Sequence, residues 1–478
     1  MRELLGEHFL GFLAGSEVPA LLRRTEGGTP LCSLVRLFLA GTPVDRRSAE
    51  TALAPLGLEE VVRAGLVADD GVRVRGRVRL RPYEADGHQF VVASDAWAAL
   101  PPGNRDGGTV APDHVMGVGA SSAMLARMTI RNDVGRALDV GSGSGVQALH
   151  ASLHAREVIT TDVNPRALQF ARFTLGLSGV ANVKTREGDL FSSVPGERFG
   201  LIVSNPPYVI SPESRLAFRD GGLEGDGICR RLVREAPAHL EEGGFCQLLA
   251  NWVHPVGGDW KDRLTEWFEG TGCDAWVIQR STEDVEQYAV GWVLHGEPDG
   301  PDPDTQARVL DEWMAYYERL GIERVGFGLI TMRLRAGGPP FVRFEDLRHD
   351  PGHACGDDIA RSFELRDWLD SLGSDDKLLD SRLAVAPDVH LHRDLVASAR
   401  GFEARASELR RGTGLGRQGL VDEHGARVVG GCDGTTTLRS LLGDLSSALV
   451  TDTDAVISSA LPIVRSLVEQ GFLLPGAR

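Results

Sequence analysis

The amino-acid sequence predicts an α/β protein, with a mainly parallel sheet in the middle of the chain and a small helix-and-ribbon domain on either side. Three observations predict it. Between about residues 113 and 292, short apolar runs alternate with helical patterns, as in chains that build parallel sheets from strand–helix–strand units. One of those runs, Ala137-Leu138-Asp139-Val140, passes straight into a glycine-rich turn and then a helical stretch. At both ends of the chain, helical periodicity stands beside short strand-like segments.

Composition sets the bounds. The chain has 478 residues, and at about 100–200 residues per domain that implies several domains. The expected divisions are 1–95, 96–336 and 337–478. Hydrophobic residues make up 42% and charged residues 25%, the profile of a soluble globular protein. The net charge of -16 argues against broad, non-specific binding to nucleic acid or anionic membrane. Six scattered cysteines, with no Cys-x-x-Cys pair, argue against a disulfide framework or zinc ribbon. A reducing cytoplasm is the expected location. Residues 1–19 read as an amphipathic helix rather than a signal peptide, and no long uninterrupted apolar stretch predicts a membrane span.

In the first domain, residues 31–39 and 49–67 carry apolar residues at helical spacing, broken near Gly41-Thr42-Pro43 and Gly57. Residues 72–81 then alternate strictly, with Gly76 as a turn or bulge. Helices followed by a β-ribbon resemble a winged helix. Arg73, Arg75, Arg77, Arg79 and Arg81 fall at every second position, on one face if the strand is continuous. Such a stripe is either a basic wing touching phosphates or an acidic partner, or the solvated face of a half-buried hairpin.

The middle domain carries the chemistry. Gly141-Ser142-Gly143-Ser144-Gly145 joins the strand to residues 146–154, so a ligand can approach the backbone closely over a helix amino terminus. The next strand ends at Asp162, 21 residues beyond Gly141, the spacing at which an acidic side chain receives ribose hydroxyls. A dinucleotide site wants G-x-G-x-x-G; here the run is D-x-G-x-G-x-G, and a carboxylate at Asp139 disfavours a pyrophosphate.

This pattern resembles the class I S-adenosylmethionine-dependent methyltransferases, whose fold is Rossmann-like with a mainly parallel seven-stranded sheet. The resemblance implies S-adenosylmethionine as cofactor. It implies that Asp139, Gly141, Ser142, Gly143 and Gly145 line its methionine part and that Asp162, with Val163 beside it, takes the ribose. Asp189, in Glu187-Gly188-Asp189-Leu190-Phe191, then accepts from the adenine amino group, with Leu190 and Phe191 near the ring; the bland reading of Asp189 is a helix cap or turn residue.

Asn205-Pro206-Pro207-Tyr208 follows the apolar run 201–203. Two prolines can continue neither a helix nor a sheet ladder. In the enzymes this chain resembles, the tetrapeptide marks those that methylate a planar, conjugated NH2 nitrogen. The physical logic is that the nitrogen's lone pair is delocalised. Asn205 accepts from one N–H, the Pro206 carbonyl accepts from the other, and Tyr208 stacks on the flat face. No general base is required. Residues 116–122 (Met-Gly-Val-Gly-Ala-Ser-Ser) close over the cofactor's amino-acid end in relatives; Ser121 is either a contact there or part of a helix start. Residues 219–233 resemble the segment after the tetrapeptide in HemK-type glutamine methyltransferases. The chain also resembles the small-domain guanine and adenine methyltransferases of ribosomal RNA, of which the guanine enzymes usually have Phe at the place of Tyr208. Asn251-Trp252-Val253-His254, at an expected strand end, offers Trp252 and His254 as substrate contacts or as structure. Residues 296–304, acidic and proline-rich, read as a solvated loop, and 305–320 as a helix before a final strand.

Gly337-Gly338-Pro339-Pro340 reads as a boundary. His349, His353 and Cys355 lack a fourth ligand, so no metal is expected. Arg410, Arg411 and Arg417 flank a glycine-rich turn. Residues 436–449 and 454–470 read as helices with Thr caps and a Gly471 stop, again like a small winged helix. The expected activity is methyl transfer to a planar NH2 group of a macromolecule, either protein glutamine or a base of RNA or DNA. The alternative is a non-catalytic regulator that binds the cofactor or nucleic acid on the same fold.

Overall fold

The computed structural model describes residues 2–5, 18–96, 111–212, 216, 218–295, 303–347, 353–398 and 401–476. Most of the expected amino-terminal amphipathic helix, nearly all of the acidic loop at 296–304, and His349 lie outside them. The chain forms two compact units, 1–125 with 133–348, and 126–132 with 349–478.

The first unit begins with a helical module. Thr29 accepts from the Cys32 N–H and Pro30 opens the helix Pro30–Phe38. Asp45 caps Arg46–Leu53 through the Ser48 N–H. The periodicity over 49–67 divides at Gly57, where Leu58–Arg63 begins as a separate helix. Val44–Asp45, Arg73–Gly76 and Val67–Asp69 pair in that order as a small antiparallel sheet. Leu37, Ala49, Val61 and Val74 close its core.

The arginine stripe does not form one continuous face. A Cβ on Gly76 would lie 2.0 Å from the Leu37 carbonyl oxygen, so the chain needs glycine there. Beyond it a separate hairpin starts, Val78–Ala85 paired with His88–Asp95. Arg73 and Arg75 belong to the first sheet, Arg79 and Arg81 to the hairpin. Burial lowers the pKa of both hairpin arginines, and Arg81 donates to the Val118 carbonyl at 2.7 Å.

The large sheet has eight strands: β1 Val134–Val140, β2 Ala155–Asp162, β3 Val183–Glu187, β4 Phe199–Ser204, β5 Leu240–Pro255, β6 Cys273–Asp284, β7 Ile322–Leu334 and β8 Val342–Asp346. Their spatial order is β8-β6-β7-β5-β4-β1-β2-β3. Only β7 runs antiparallel to its neighbours. The helices between the hairpin and β7 are α1 Ala120–Met128, α2 Val146–Ala151, α3 Pro165–Leu177, α4 Gly227–Glu235, α5 Trp260–Phe268, α6 Val285–His295 and α7 Pro303–Leu320. Leu138, Ile159, Ile202, Leu248, Val277 and Ile330 carry one core across the strands.

The seven strands expected become eight because the sheet runs past residue 337. The Gly-Gly-Pro-Pro stretch is a turn onto an edge strand, Val342–Asp346, which pairs with β6. Asp274 anchors both sides of the turn, accepting from Arg335 and from the Phe341 N–H. Order reverses between β4 and β1, with β2 on the far side of β1. That is the switch point where open α/β sheets leave a crevice beyond the strand ends.

The second unit has its own core of Leu365, Leu383, Val428, Leu442, Val464 and Phe472. Its three-stranded sheet pairs Asp433–Thr437, Arg382–Val385 and Leu473–Pro475 in that order. With the helices Glu423–Gly431, Leu438–Leu449 and Thr453–Glu469, this repeats the amino-terminal module: helix, strand, helix, helix, strand. The middle strand, however, comes earlier in the chain instead of last. The turns before the two equivalent strands also match. Gly65 and Gly471 have φ of 75° and 76°. Leu66 and Phe472 each bond back five residues, to Val61 and Leu467.

Candidate active site

The crevice at the switch point is a cleft of about 490 Å³. Its floor is the glycine turn. Gly141 and Ser142 donate backbone N–H bonds to the Thr161 carbonyl at 2.9 and 2.8 Å, tying the end of β1 to β2. Gly141, Gly143 and Gly145 all have positive φ. A Cβ on Gly143 would meet nothing within 4 Å, whereas one on Gly145 would sit 3.3 Å from Ala171 Cα in α3. Gly143 therefore keeps the backbone open toward a ligand, and Gly145 lets α2 pack on α3.

Asp162 stands at the end of β2 in the cleft wall. Its Oδ2 accepts from the Gly143 N–H at 2.9 Å and its Oδ1 from the Asn164 N–H at 2.8 Å. Burial raises its pKa, against those two bonds. The bonds hold the carboxylate still and leave each oxygen a lone pair for a hydroxyl. Val163, Asp189 and Leu190 continue the wall. Asp189 pairs with Arg231 at 2.8 Å. Leu190 sits at φ 48°, a left-handed conformation that costs a non-glycine residue about 1–2 kcal/mol.

The opposite wall is the tetrapeptide. Asn205, Pro206, Pro207 and Tyr208 all line the cleft. Asn205 donates through Nδ2 to the Ser122 hydroxyl at 3.3 Å, and Tyr208 shares a 2.7 Å hydrogen bond with the Ser121 hydroxyl. Gln147 donates to the Ser122 carbonyl at 2.9 Å, fixing the start of α1 over the glycine turn. Burial pushes the Tyr208 hydroxyl up, so the phenol keeps its proton. Its ring lies 5.4 Å from Phe327.

Several expected residues stand elsewhere. Asp139 is fully buried beneath the turn and does not line the cleft. Its Oδ2 accepts from Thr160, and burial pushes its pKa up to about 7. The carboxylate expected to disfavour a pyrophosphate is therefore one the cleft does not present. Phe191 is a core residue stacked on His239 at 4.8 Å. Trp252 is buried, and His254 stacks on Trp260 and bonds Gln279. The reason is strand length: β5 outruns β4 after Leu248 but stays paired with β7 through Pro255, so residues 251–254 are still sheet. Conversely, His114, Phe218 and Trp292 line the cleft without having been singled out. Trp292 comes from α6, which carries no motif that sequence reasoning could find.

Comparison with known proteins bears on this arrangement. Residues 116–269 match the family model described as methyltransferase small domain. Residues 1–77 and 360–475 each match a family described as a domain of unknown function. The chain is 35% identical over 157 residues to a ribosomal protein uL3 glutamine methyltransferase of Bradyrhizobium diazoefficiens, covering 30% of this chain and 48% of that one. It is 37% identical over 129 residues to a release factor glutamine methyltransferase of Xylella fastidiosa, covering 24% and 47%. The chain thus spans about half the length of the curated relatives it matches. Among solved structures, the T. thermophilus 16S rRNA N2 G1207 methyltransferase in complex with AdoMet and guanosine aligns at TM-score 0.27 and 16% identity, over 43% of this chain and 59% of that one.

Proposed function

We propose that this protein is an S-adenosylmethionine-dependent N-methyltransferase acting on a planar NH2 group of a macromolecule, with a protein glutamine as the favoured acceptor. The observation that carries the reading is the facing pair of walls: an open glycine turn with Asp162 on one side, Asn205 and Tyr208 on the other, latched together through Ser121 and Ser122. The glutamine methyltransferase relatives support the amide over the base.

The cleft fits the cofactor in shape and donor set. Gly141 to Ser144 leave room for its amino-acid tail, Asp162 would accept from its ribose, and Val163, Asp189 and Leu190 would border its base. When bound, S-adenosylmethionine supplies an electrophilic methyl on a sulfonium, a good leaving group. The chain's own task is alignment and electrostatics. Ser122 takes the Asn205 amide nitrogen, which leaves Oδ1 to accept one acceptor N–H. The Pro206 carbonyl takes the other. Together they draw density onto the nitrogen and aim its lone pair, while Tyr208 gives the flat group a face.

A nucleobase amine is the second reading. The small helix-and-strand modules on either side, which we read as winged-helix-like, support it, as do Arg73, Arg75 and Arg77 on the first. The test is transfer of radiolabelled methyl into a lysate, split afterwards with protease or ribonuclease. Label in a ribonuclease-resistant protein band is expected; label lost to ribonuclease overturns the glutamine reading. Asn205→Ala should bind S-adenosylmethionine as the parent does and lose methyl transfer by about a hundredfold or more. Full turnover in that variant removes the nitrogen clamp.

A further inference from the structure

Residues 285–321 join two antiparallel neighbours, β6 and β7, which a tight turn could connect. Instead they carry two helices, α6 and α7, and these pack on the acceptor loop. Tyr288 of α6 accepts the Ile210 N–H at 3.1 Å, and Tyr317 of α7 donates to the Ile210 carbonyl at 2.9 Å. Both tyrosines are buried, within a cluster that also holds Val209, Ile210, Trp313 and Val325.

The sequence of the loop explains why such a device is needed. Pro206 and Pro207 have no N–H, so the middle of the reactive tetrapeptide has no backbone donor to fasten it. The chain just beyond it must be held instead. Val209 donates to the Arg219 carbonyl at 3.2 Å, and Ile210 is gripped at both its polar groups. Tyr288 is itself fixed, since Asn251 of β5 donates to its hydroxyl. One turn further along α6, Trp292 reaches the cleft wall. The grip is therefore referenced to the rigid sheet on one side and to the cleft on the other.

We propose that Tyr288 and Tyr317 are positioning residues for methyl transfer. Acting through Ile210, they set the place of Asn205 and Tyr208 relative to the donor side of the cleft. The proposal rests on the acceptor-loop reading above. Neither hydroxyl touches the cleft, so both act at one remove.

The test uses the full chain with Tyr288→Phe and Tyr317→Phe, which keep the rings and remove the grip, beside Asn205→Ala. The acceptor is the ribonuclease-treated protein fraction of a lysate from cells lacking this gene, and the methyl donor is radiolabelled S-adenosylmethionine. Each Phe variant is expected to lose between about tenfold and a hundredfold in maximal rate, the size of effect a small misplacement of reacting groups produces. The donor's KM is expected to stay within twofold of the parent's. Amide exchange of the peptide spanning 205–212 should quicken in both, which also reports on a variant too unstable to assay. Maximal rate within twofold of the parent, or unchanged exchange in that peptide, overturns the clamp while the loss of activity in Asn205→Ala leaves the underlying reading intact. Full activity in Asn205→Ala overturns that reading and the clamp with it.

Discussion

Asp139 is a carboxyl group with no room for its charge. It is fully buried, and desolvation, more than the neighbouring Asp162, carries its pKa from 3.8 to about 7. The sign of the consequence follows. Below pH 4 folded and unfolded chains both hold the proton, and the group costs nothing. As pH rises toward 7 the unfolded chain releases it first, so stability is lost at up to about 1.4 kcal/mol per pH unit. Asp139→Asn keeps an acceptor for the Thr160 hydroxyl and removes the titration. Urea denaturation at pH 5 and pH 7 should show the parent losing about 2–3 kcal/mol more than the variant over that interval. Equal slopes would mean that Asp139 does not titrate there. The same residue shows what a motif can convey. The pattern D-x-G-x-G-x-G marked the turn and its place after β1, but whether the aspartate faces the cleft or the interior depends on depth in the fold, which spacing does not encode.

At the scale of the element, strand β7 shows how tightly the sheet is built. Gly328 lies between Ala250 of β5 and Gln279 of β6. A Cβ there would sit 1.9 Å from the Ile278 carbonyl oxygen and 3.0 Å from the Trp252 ring. Gly328→Ala should cost about 3 kcal/mol or more, since backbone on one side and a buried ring on the other cannot give way. A Cβ added at Gly291, inside α6, would meet nothing within 4 Å among the described residues. Gly291→Ala should stabilise by about 0.5–1 kcal/mol through helix propensity and a less flexible unfolded chain. Thermal melts should move in opposite directions; a shift of the same sign in both would contradict the packing. The strands that feed the cleft were legible because glycine, aspartate and proline punctuate them. The far strands were less so. β5 keeps its pairing beyond the point where its parallel neighbour stops, and no residue in Asn251 to His254 signals that. Helix α6 has no sequence motif, and its part in the site exists only through Tyr288 and Trp292 once the chain is folded.

At the scale of the whole chain, the two flanking modules use one arrangement of helices and strands with a different point of entry. In the first, the middle strand Arg73–Gly76 follows its neighbour across a short turn. In the second, the middle strand Arg382–Val385 comes first, and the hairpin of Val389–Ser398 and Gly401–Arg411 intervenes before the helices. Periodicity located the last two helices and the Gly471 stop. It could not reveal that their sheet is completed from upstream, because pairing over so long a separation leaves no local trace. Closing such a sheet needs a tie between the exit of the middle strand and the turn before the last one, and Arg411 supplies it. It donates through Nε to both oxygens of Asp388, at 3.0 and 2.9 Å, and through Nη1 to the Gly471 carbonyl at 2.7 Å. Burial alone would raise the pKa of Asp388, but Arg411 and Thr413 hold it down at about 2. The pair's contribution is therefore complete above about pH 4 and lost as pH falls toward 2. Asp388→Asn leaves a guanidinium only 4% exposed with Asp358, 3.5 Å away, as its remaining counter-charge, where outright loss of a buried pair's partner costs about 3–5 kcal/mol. Chemical denaturation at pH 7 should show the variant less stable by an amount near the lower end of that range, because Asp388 is itself 18% exposed. Between pH 4 and pH 2 the parent should lose more stability than the variant, since other carboxylates held low, such as Asp433, titrate in both. Equal stability at pH 7 would mean that the tie through Arg411 does not hold the permuted sheet closed.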